Sequence, residues 1–219
     1  MKRGLYIVLL AAVCLLVFGA AAFAAEGTQN APPPQARQTK RVALIPLIDR
    51  TGGWLTKSGA ERLTDRMDRE LHVPLNDAMH WVEFISEDEA AAAFREAMDA
   101  QGKKAKPEIA ARDAAKILDA DLVLLLVVNQ FYQRIYHSFR WDFASYIESS
   151  AELVVYGYDA GHDRLIRSPA SRFERAEYHP AYEVEELAAE ALDEALLDAR
   201  PKDAIFPISE KNQEGKNVK

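Results

Sequence analysis

Cysteine is almost missing from this sequence: Cys14 is the only one among 219 residues. It lies inside an apolar run and follows Val13, whereas the lipid-modified cysteine of a bacterial lipoprotein follows a small residue. We therefore interpret Cys14 as one more apolar residue of that run. The rest of the chain has no thiol, which excludes disulfide bonds and thiolate chemistry there. Stability must then come from a packed hydrophobic core.

Recognisable catalytic and ligand motifs are also missing. The five histidines are scattered, and none has the spacing of a metal-binding pair. Lys57-Ser58 resembles the end of a P-loop, but Thr51 and Thr56 occupy positions where that motif requires glycine. We predict no catalytic residue, no metal and no cofactor, and the sequence favours a protein that is not an enzyme. An acid–base pair assembled across the fold would not be visible in a sequence.

Positive charge is in deficit. The chain has 34 Asp and Glu against 27 Lys and Arg, a formal net charge of −7. A protein of this balance repels both phosphate backbones and anionic lipid surfaces. We therefore expect no nucleic-acid partner, and no stable membrane insertion once the amino-terminal leader has been removed.

The first 24 residues have the pattern of a secretory signal peptide. A basic start, Met1-Lys2-Arg3, precedes the apolar run Leu5–Phe18 and the small-x-small site Ala22-Phe23-Ala24. We expect cleavage after Ala24 and an exported protein, periplasmic or extracellular. An uncleaved anchor helix is the alternative.

One α/β domain is predicted for residues 41–208. A disordered linker, 25–40, with three consecutive prolines precedes it, and a polar tail, 209–219, follows it. The apolar run at 120–130 is too short to cross a membrane and too unbroken for a half-exposed strand. It predicts a buried strand with helices on both faces.

The remaining patterns predict a mixed sheet with helices packed on it, in the order β-α-β-α-α-β-β-β-α. Strands are expected at 41–49 and 81–85, followed after the central strand by an antiparallel meander. The last helix is expected at 182–198 and a short edge strand at 204–208. Pro46 favours an edge or an irregularity, and Ser58 is predicted to cap the first helix.

An aromatic belt after the central strand is the first candidate site. Its candidate residues are Tyr132, Arg134, Tyr136, Phe139, Arg140 and Trp141. Aromatic and arginine side chains are good contact anchors, so a hairpin that projects here could bind a protein partner. The same aromatics could instead cover the edge of the sheet under the last helix, and the sequence leaves both interpretations open.

The loop after the first strand is the second candidate site. Its candidate residues are Asp49, Thr51, Gly52, Gly53, Trp54 and Lys57. With this loop as its site, the protein would be a small-ligand-binding or hydrolytic module. A simpler interpretation is that the two glycines turn the chain and Trp54 packs over the sheet.

Two stretches carry a family resemblance. Ile45-Pro46-Leu47-Ile48-Asp49-Arg50-Thr51-Gly52 precedes a helix, and Ala115-Lys116-Ile117-Leu118-Asp119-Ala120-Asp121-Leu122-Val123 leads into the buried strand. These stretches, together with the order of elements from Lys40 to Ala199, resemble the α/β domain of a group of bacterial envelope proteins. The group includes CsgG, LpoB and the amino-terminal domain of TolB. The resemblance implies an exported, non-catalytic envelope or secreted protein that acts by protein–protein contact. It leaves the oligomeric state open, and it implies neither a lipid anchor nor a pore.

Overall fold

The structure, a computed structural model, describes residues 39–137 and 145–206. This part of the chain has one five-stranded sheet. The strands are β1 Lys40–Asp49, β2 Val82–Phe84, β3 Leu122–His137, β4 Ser145–Asp159 and β5 Arg164–Glu177. The helices are α1 Lys57–Leu71, α2 Asn76–Met79, α3 Glu87–Gln101, α4 Pro107–Leu118, α5 Val184–Ala199 and α6 Pro201–Ile205.

The sheet is mixed, with strand order β2-β1-β3-β4-β5. Strand β1 runs parallel to both β2 and β3. Strands β3, β4 and β5 form an antiparallel meander. The predicted α/β class, the single domain and the mixed sheet are therefore confirmed. The order of elements is also as predicted, with two short helices, α2 and α6, in addition.

Side chains of β3 alternate between two hydrophobic cores. Leu124 and Leu126 pack with residues of α1, α5 and α6, on what we call the α1/α5 side. Val123 and Leu125 pack with residues of α3 and α4, on the α3/α4 side. All of them are buried, and Leu125 has no exposed surface. The apolar run is thus a strand covered on both faces, as predicted.

Strand β1 is irregular at Pro46 and open along part of its length. Its register with β3 shifts between Ile45 and Ile48, where proline has no amide hydrogen to give to the ladder. On its other side, β1 pairs with the short β2 only as far as Val42. Among the described residues, the carboxyl half of β1 therefore has no strand neighbour on that side.

Helix boundaries follow capping chemistry, with one correction. Thr56, not Ser58, caps α1, since its hydroxyl accepts a hydrogen bond from the Gly59 amide at 3.0 Å. Two hydroxyls lie two residues apart here, and only Thr56 has the extended backbone of a cap. Ser58 lies inside the helix. Ser86 caps α3 in the same way, since its hydroxyl accepts a hydrogen bond from the Glu89 amide at 3.4 Å.

The predicted edge strand at 204–208 is wrong where the structure describes it. Pro201 opens α6, because its fixed φ suits the first turn of a helix. Ala204 and Ile205 are then buried on the α1/α5 side. Residues 207 and 208 lie outside the described residues, as do the signal peptide, nearly all of the linker and the polar tail, so the domain limits stay a prediction.

Within residues 39–137 and 145–206, no helix has the length and apolar character needed to cross a bilayer.

Candidate functional site

A β-bulge at Asn129 sets the direction of the aromatic side chains in β3. The pairing of β3 with β4 shifts between Val128 and Gln130, which leaves Asn129 as an extra residue. Val128 faces the α1/α5 side, and beyond the bulge the odd-numbered Phe131 does so as well. Tyr132 therefore points to the opposite, α3/α4 side, because neighbouring side chains of a strand alternate.

Beyond the bulge, residues paired across β3, β4 and β5 form three rows on the α3/α4 side. The rows are Tyr132–Ser150–Phe173, Arg134–Glu148–Arg175 and Tyr136–Tyr146–Glu177. The buried cluster on this side ends at Val127 and Val154, so the described helices leave the rows open. Each residue in the rows is exposed or half-buried, and Phe173 is 62% exposed. We call these rows the aromatic face.

Side-chain contacts order the far end of the aromatic face. The rings of Tyr136 and Tyr146 are stacked, with centroids 5.8 Å apart. Arg175 donates from Nε to the Tyr136 hydroxyl at 3.3 Å and lies 3.5 Å from the Glu148 carboxylate. The hydrogen bond to Tyr136 is the main reason that the pKa of Arg175 is raised, and Glu148 adds to it. Side chains held in this way lose less conformational freedom when a partner binds.

The reverse side of the same strands is mostly covered, although Ile135 of β3 is 45% exposed there. Gln133 accepts a hydrogen bond from the backbone amide of Val184, the first residue of α5, at 2.8 Å. Phe131 packs so close to α1 that a Cβ added at Gly59 would lie 2.8 Å from its ring. Ile147 of β4 is fully buried. Beyond the bulge, the described helices thus cover most of one side of the meander and leave the other side open.

Trp54 brings the two candidate segments together. Its ring contacts Tyr132 edge-on, with centroids 6.0 Å apart and the planes at 64°. Trp54 is nevertheless 62% exposed. The loop after β1 therefore extends the aromatic face past the edge of β3.

The polar side chains of this loop stabilise its own backbone. The Asp49 carboxylate accepts hydrogen bonds from the Thr51 amide at 2.7 Å and the Thr51 hydroxyl at 2.6 Å. The Thr51 oxygen in turn accepts from the amides of Trp54 and Leu55 at 3.0 and 2.9 Å. Asp49 and Thr51 thereby fix the position of Trp54.

The other residues of the candidate loop do not join these groups. Gly52 and Gly53 adopt φ values of +74° and +95°, a conformation that turns the chain and that glycine adopts without strain. Lys57 is almost fully exposed, with its ammonium 3.6 Å from Glu61 one helical turn away. The structure therefore does not gather Asp49, Thr51 and Lys57 around a common pocket.

Sequence reasoning found only part of the aromatic face. Phe139, Arg140 and Trp141 lie outside the described residues, so their role stays a prediction. The residues that were not among its candidates come from the neighbouring strands: Tyr146, Glu148, Ser150, Phe173, Arg175 and Glu177. The alternating pattern of β4 shows which of its residues share a side, but not which residues of β3 and β5 lie beside them.

In the parts of the chain that the structure describes, no three His, Cys, Asp or Glu residues are placed to hold a metal ion. Asp159 is a buried carboxylate, and it binds the ring of His162 at 2.8 Å and lies 3.7 Å from Arg164. These contacts hold the turn between β4 and β5.

Comparison with known proteins yields similar folds but no family. No protein-family profile matches the chain, and no curated protein does. Similar solved structures include a PelC dodecamer from Paraburkholderia phytofirmans, with 14% identity, a TM-score of 0.37, and coverage of 76% of this chain and 93% of that chain. The hypothetical protein CT253 from Chlamydia trachomatis has 14% identity and a TM-score of 0.41, covering 78% and 99%. The LpoB C-terminal domain from Escherichia coli has 13% identity and a TM-score of 0.30, covering 63% and 82%.

One envelope protein named in the sequence resemblance, LpoB, is thus among the structures of similar fold. At these TM-scores we derive neither function nor assembly from them.

Proposed function

We propose that this protein is an exported, non-catalytic envelope or secreted protein that binds a protein partner through the aromatic face and Trp54. The observation that carries the proposal is a set of exposed aromatic and arginine side chains in adjacent rows of a sheet. The described helices leave this surface open while they cover most of its reverse side.

The chemistry of the aromatic face suits a protein interface. Tyrosine, tryptophan, phenylalanine and arginine are enriched at interfaces, where a few such anchors contribute most of the binding free energy. Phe173 and Trp54 are the most exposed aromatic anchors, each at 62%. Single exposed apolar residues are common on protein surfaces, but here tyrosines and arginines adjoin them.

The charges on this surface favour a protein over nucleic acid or an anionic membrane. Arg134 and Arg175 lie on either side of Glu148 in one row, and Glu177 ends the next. A uniformly negative polymer or bilayer would be repelled by these carboxylates, and also by the net charge of −7 that this protein carries. A partner with charged groups of both signs can pair with each of them.

The cellular setting in this proposal comes from the sequence. Residues 1–24 have the pattern of a cleaved signal peptide, and the resemblance to CsgG, LpoB and TolB implies a role in the bacterial envelope. The alternative, a small-ligand-binding or hydrolytic module at residues 49–58, has less support. Of its polar candidates, Asp49 and Thr51 are engaged in hydrogen bonds within the loop, and Lys57 lies 3.6 Å from Glu61.

Site-specific photo-crosslinking in cells tests the proposal. A benzophenone amino acid is placed at Trp54, at Phe173, and, as a matched control, at Leu197 of α5, which is 79% exposed on another surface. We expect the same crosslinked protein from positions 54 and 173, and not from 197. Equal products at all three positions, or none at 54 and 173, would contradict the proposal.

A further inference from the structure

A groove opens beside the carboxyl half of β1 and the end of β2, and Leu126 of β3 contributes to its lining. Its volume is about 400 Å³. Its apolar lining includes Leu44, Pro46 and Leu47 of β1, Met67 of α1, and Phe84 and Ile85 at the end of β2. None of these residues belongs to the aromatic face or to the loop at 49–58.

The topology of the sheet explains why the groove is there. From the end of β1 the chain continues into α1 on one side of the sheet, and from the end of β2 into α3 on the other. Where neighbouring parallel strands send their chains to opposite sides, a crevice forms at their carboxyl ends, and in open α/β sheets ligands bind in such crevices. Since β2 pairs with β1 only as far as Val42, no strand among the described residues fills the space beyond.

The rim of the groove is acidic. Asp68 and Thr64 of α1, His72 directly after α1, and Glu87 in the first turn of α3 line it. The pKa of Asp68 is raised, first because its carboxyl is partly withdrawn from water and then because Asp65 and Glu87 carry like charge. A cation placed between these carboxylates would relieve their repulsion, whereas an anion would add to it.

Part of the apolar wall of the groove is exposed to solvent. Phe84 is 47% exposed, whereas Ile85 and Met67, which line the same groove, are buried. A ligand with an apolar body would remove this ring from water. A cavity of this volume lies within the range of about 300–1,000 Å³ that is usual for small-molecule sites.

We propose that this groove binds a small amphipathic cation, a molecule with a compact apolar body and one ammonium or guanidinium group. The apolar body lies against Leu44, Met67 and Phe84, and the cationic group lies between Asp68 and Glu87. The site is independent of the protein partner proposed above, because it uses other elements and other residues.

Phenethylammonium is the probe, with 3-phenylpropionate and 2-phenylethanol as its anionic and neutral counterparts. Affinities are measured by calorimetry, and the position of binding by NMR shifts of the Leu44, Leu47 and Met67 methyl groups. We expect one site per chain at this groove, and at least about tenfold tighter binding of the cation than of the anion, which corresponds to about 1.4 kcal/mol. Equal affinities, no binding, or shifts confined to other residues would overturn the proposal.

Two charge-matched variants test the role of the rim. Asp68→Asn with Glu87→Gln should reduce the preference for the cation to less than about threefold, because Coulomb attraction at the rim is lost. Glu61→Gln with Glu89→Gln removes the same charge from α1 and α3 without altering the lining, and it should keep the preference. A preference that survives in the first variant, or is lost in the second, would refute the assignment.

Phe84→Ala tests the apolar wall separately. Since the ring is partly exposed, its removal should leave the protein folded and weaken phenethylammonium and 2-phenylethanol by a similar factor. Unchanged affinity of both probes in a folded Phe84→Ala protein would show that they bind elsewhere.

Discussion

At the scale of single residues, Gly157 permits the close approach of β4 to β3. A Cβ at this position would lie 2.4 Å from the Val123 carbonyl oxygen and 2.6 Å from the Leu124 side chain. Because backbone cannot move aside as a flexible side chain can, Gly157→Ala should lower the free energy of unfolding by about 1–3 kcal/mol, the usual cost of overpacking a core. Urea unfolding measures this change.

Gly161→Ala is the matched control in the turn after β4. There the nearest atom to an added Cβ is the Asp159 carboxylate oxygen at 3.4 Å, an ordinary contact. Its free energy of unfolding should stay within about 0.5 kcal/mol of the parent protein. Equal effects of the two substitutions would show that the strands can separate at Gly157 without cost.

Asp68 should make stability depend on pH in a defined direction. Its pKa is raised in the folded protein by partial burial and by Asp65 and Glu87. Ionisation therefore disfavours the folded state at neutral pH, and this effect disappears as the pH falls below the ordinary carboxyl pKa of about 3.9.

Asp68→Asn should consequently be more stable than the parent at pH 7, by no more than about 0.5 kcal/mol since solvent screens an exposed group. The difference should vanish near pH 3, below both pKa values. Urea midpoints at the two pH values measure it. If the parent protein were more stable than the variant at pH 7, ionisation of the Asp68 carboxylate would not be unfavourable in the folded state, and the prediction would be wrong.

One residue also limits what the sequence could predict. Had the alternation of β3 continued unbroken, Tyr132 and Tyr136 would lie on the same side as Leu124 and Leu126, under the last helix. That is the alternative the sequence left open. The extra residue at Asn129 reverses the direction, and a bulge of this kind has no reliable pattern in a single sequence.

At the scale of elements, two hydroxyl groups at the start of α1 have different roles. Thr56 and Ser58 both donate to the Glu185 carboxylate, at 3.1 and 2.7 Å. Only Thr56 also accepts from the Gly59 amide and so caps the helix. Thr56→Ala should lower the free energy of unfolding by about 1 kcal/mol.

Ser58→Ala is the control for this prediction, and it should cost less than about half as much, because it loses only exposed contacts, those with Glu185 and the Thr56 hydroxyl. Both values come from urea unfolding. A larger loss for Ser58→Ala would return the capping role to Ser58.

The longer elements were predictable because several signals agree for each. Ser86 begins α3, Gly102 ends it, and Pro107 opens α4, while the apolar run of β3 marks the centre of the sheet. Short α6 was not predictable, because Ala204 and Ile205 read as part of a strand by polarity alone. Their helical form depends on Pro201 and on burial against the α1/α5 side.

At the scale of the whole molecule, the topology creates two separate surfaces. The groove forms where the chain leaves β1 and β2 toward opposite sides of the sheet. The aromatic face forms where β3, β4 and β5 extend past the helices of the α3/α4 side. The sequence predicts the mixed sheet and its helices. It does not predict contacts between distant segments, such as Trp54 with Tyr132, which depend on strand order and register.

The central claim is that the aromatic face binds a protein partner, and a double substitution tests it most directly. Trp54→Ala with Phe173→Ala removes two side chains that are each 62% exposed. Leu197→Ala with Ile117→Ala, at positions 79% and 49% exposed on α5 and α4, is the control. Binding is measured with the purified protein that crosslinks to position 173.

We predict that the free energy of unfolding of the double variant stays within about 1 kcal/mol of the parent, since exposed side chains lose little on truncation. Its affinity for the partner should fall by at least about 100-fold, because interface anchors of this type are each worth about 2 kcal/mol or more. The control should bind as the parent does. Undiminished binding by Trp54→Ala with Phe173→Ala, or an equal loss in the control, would contradict the account.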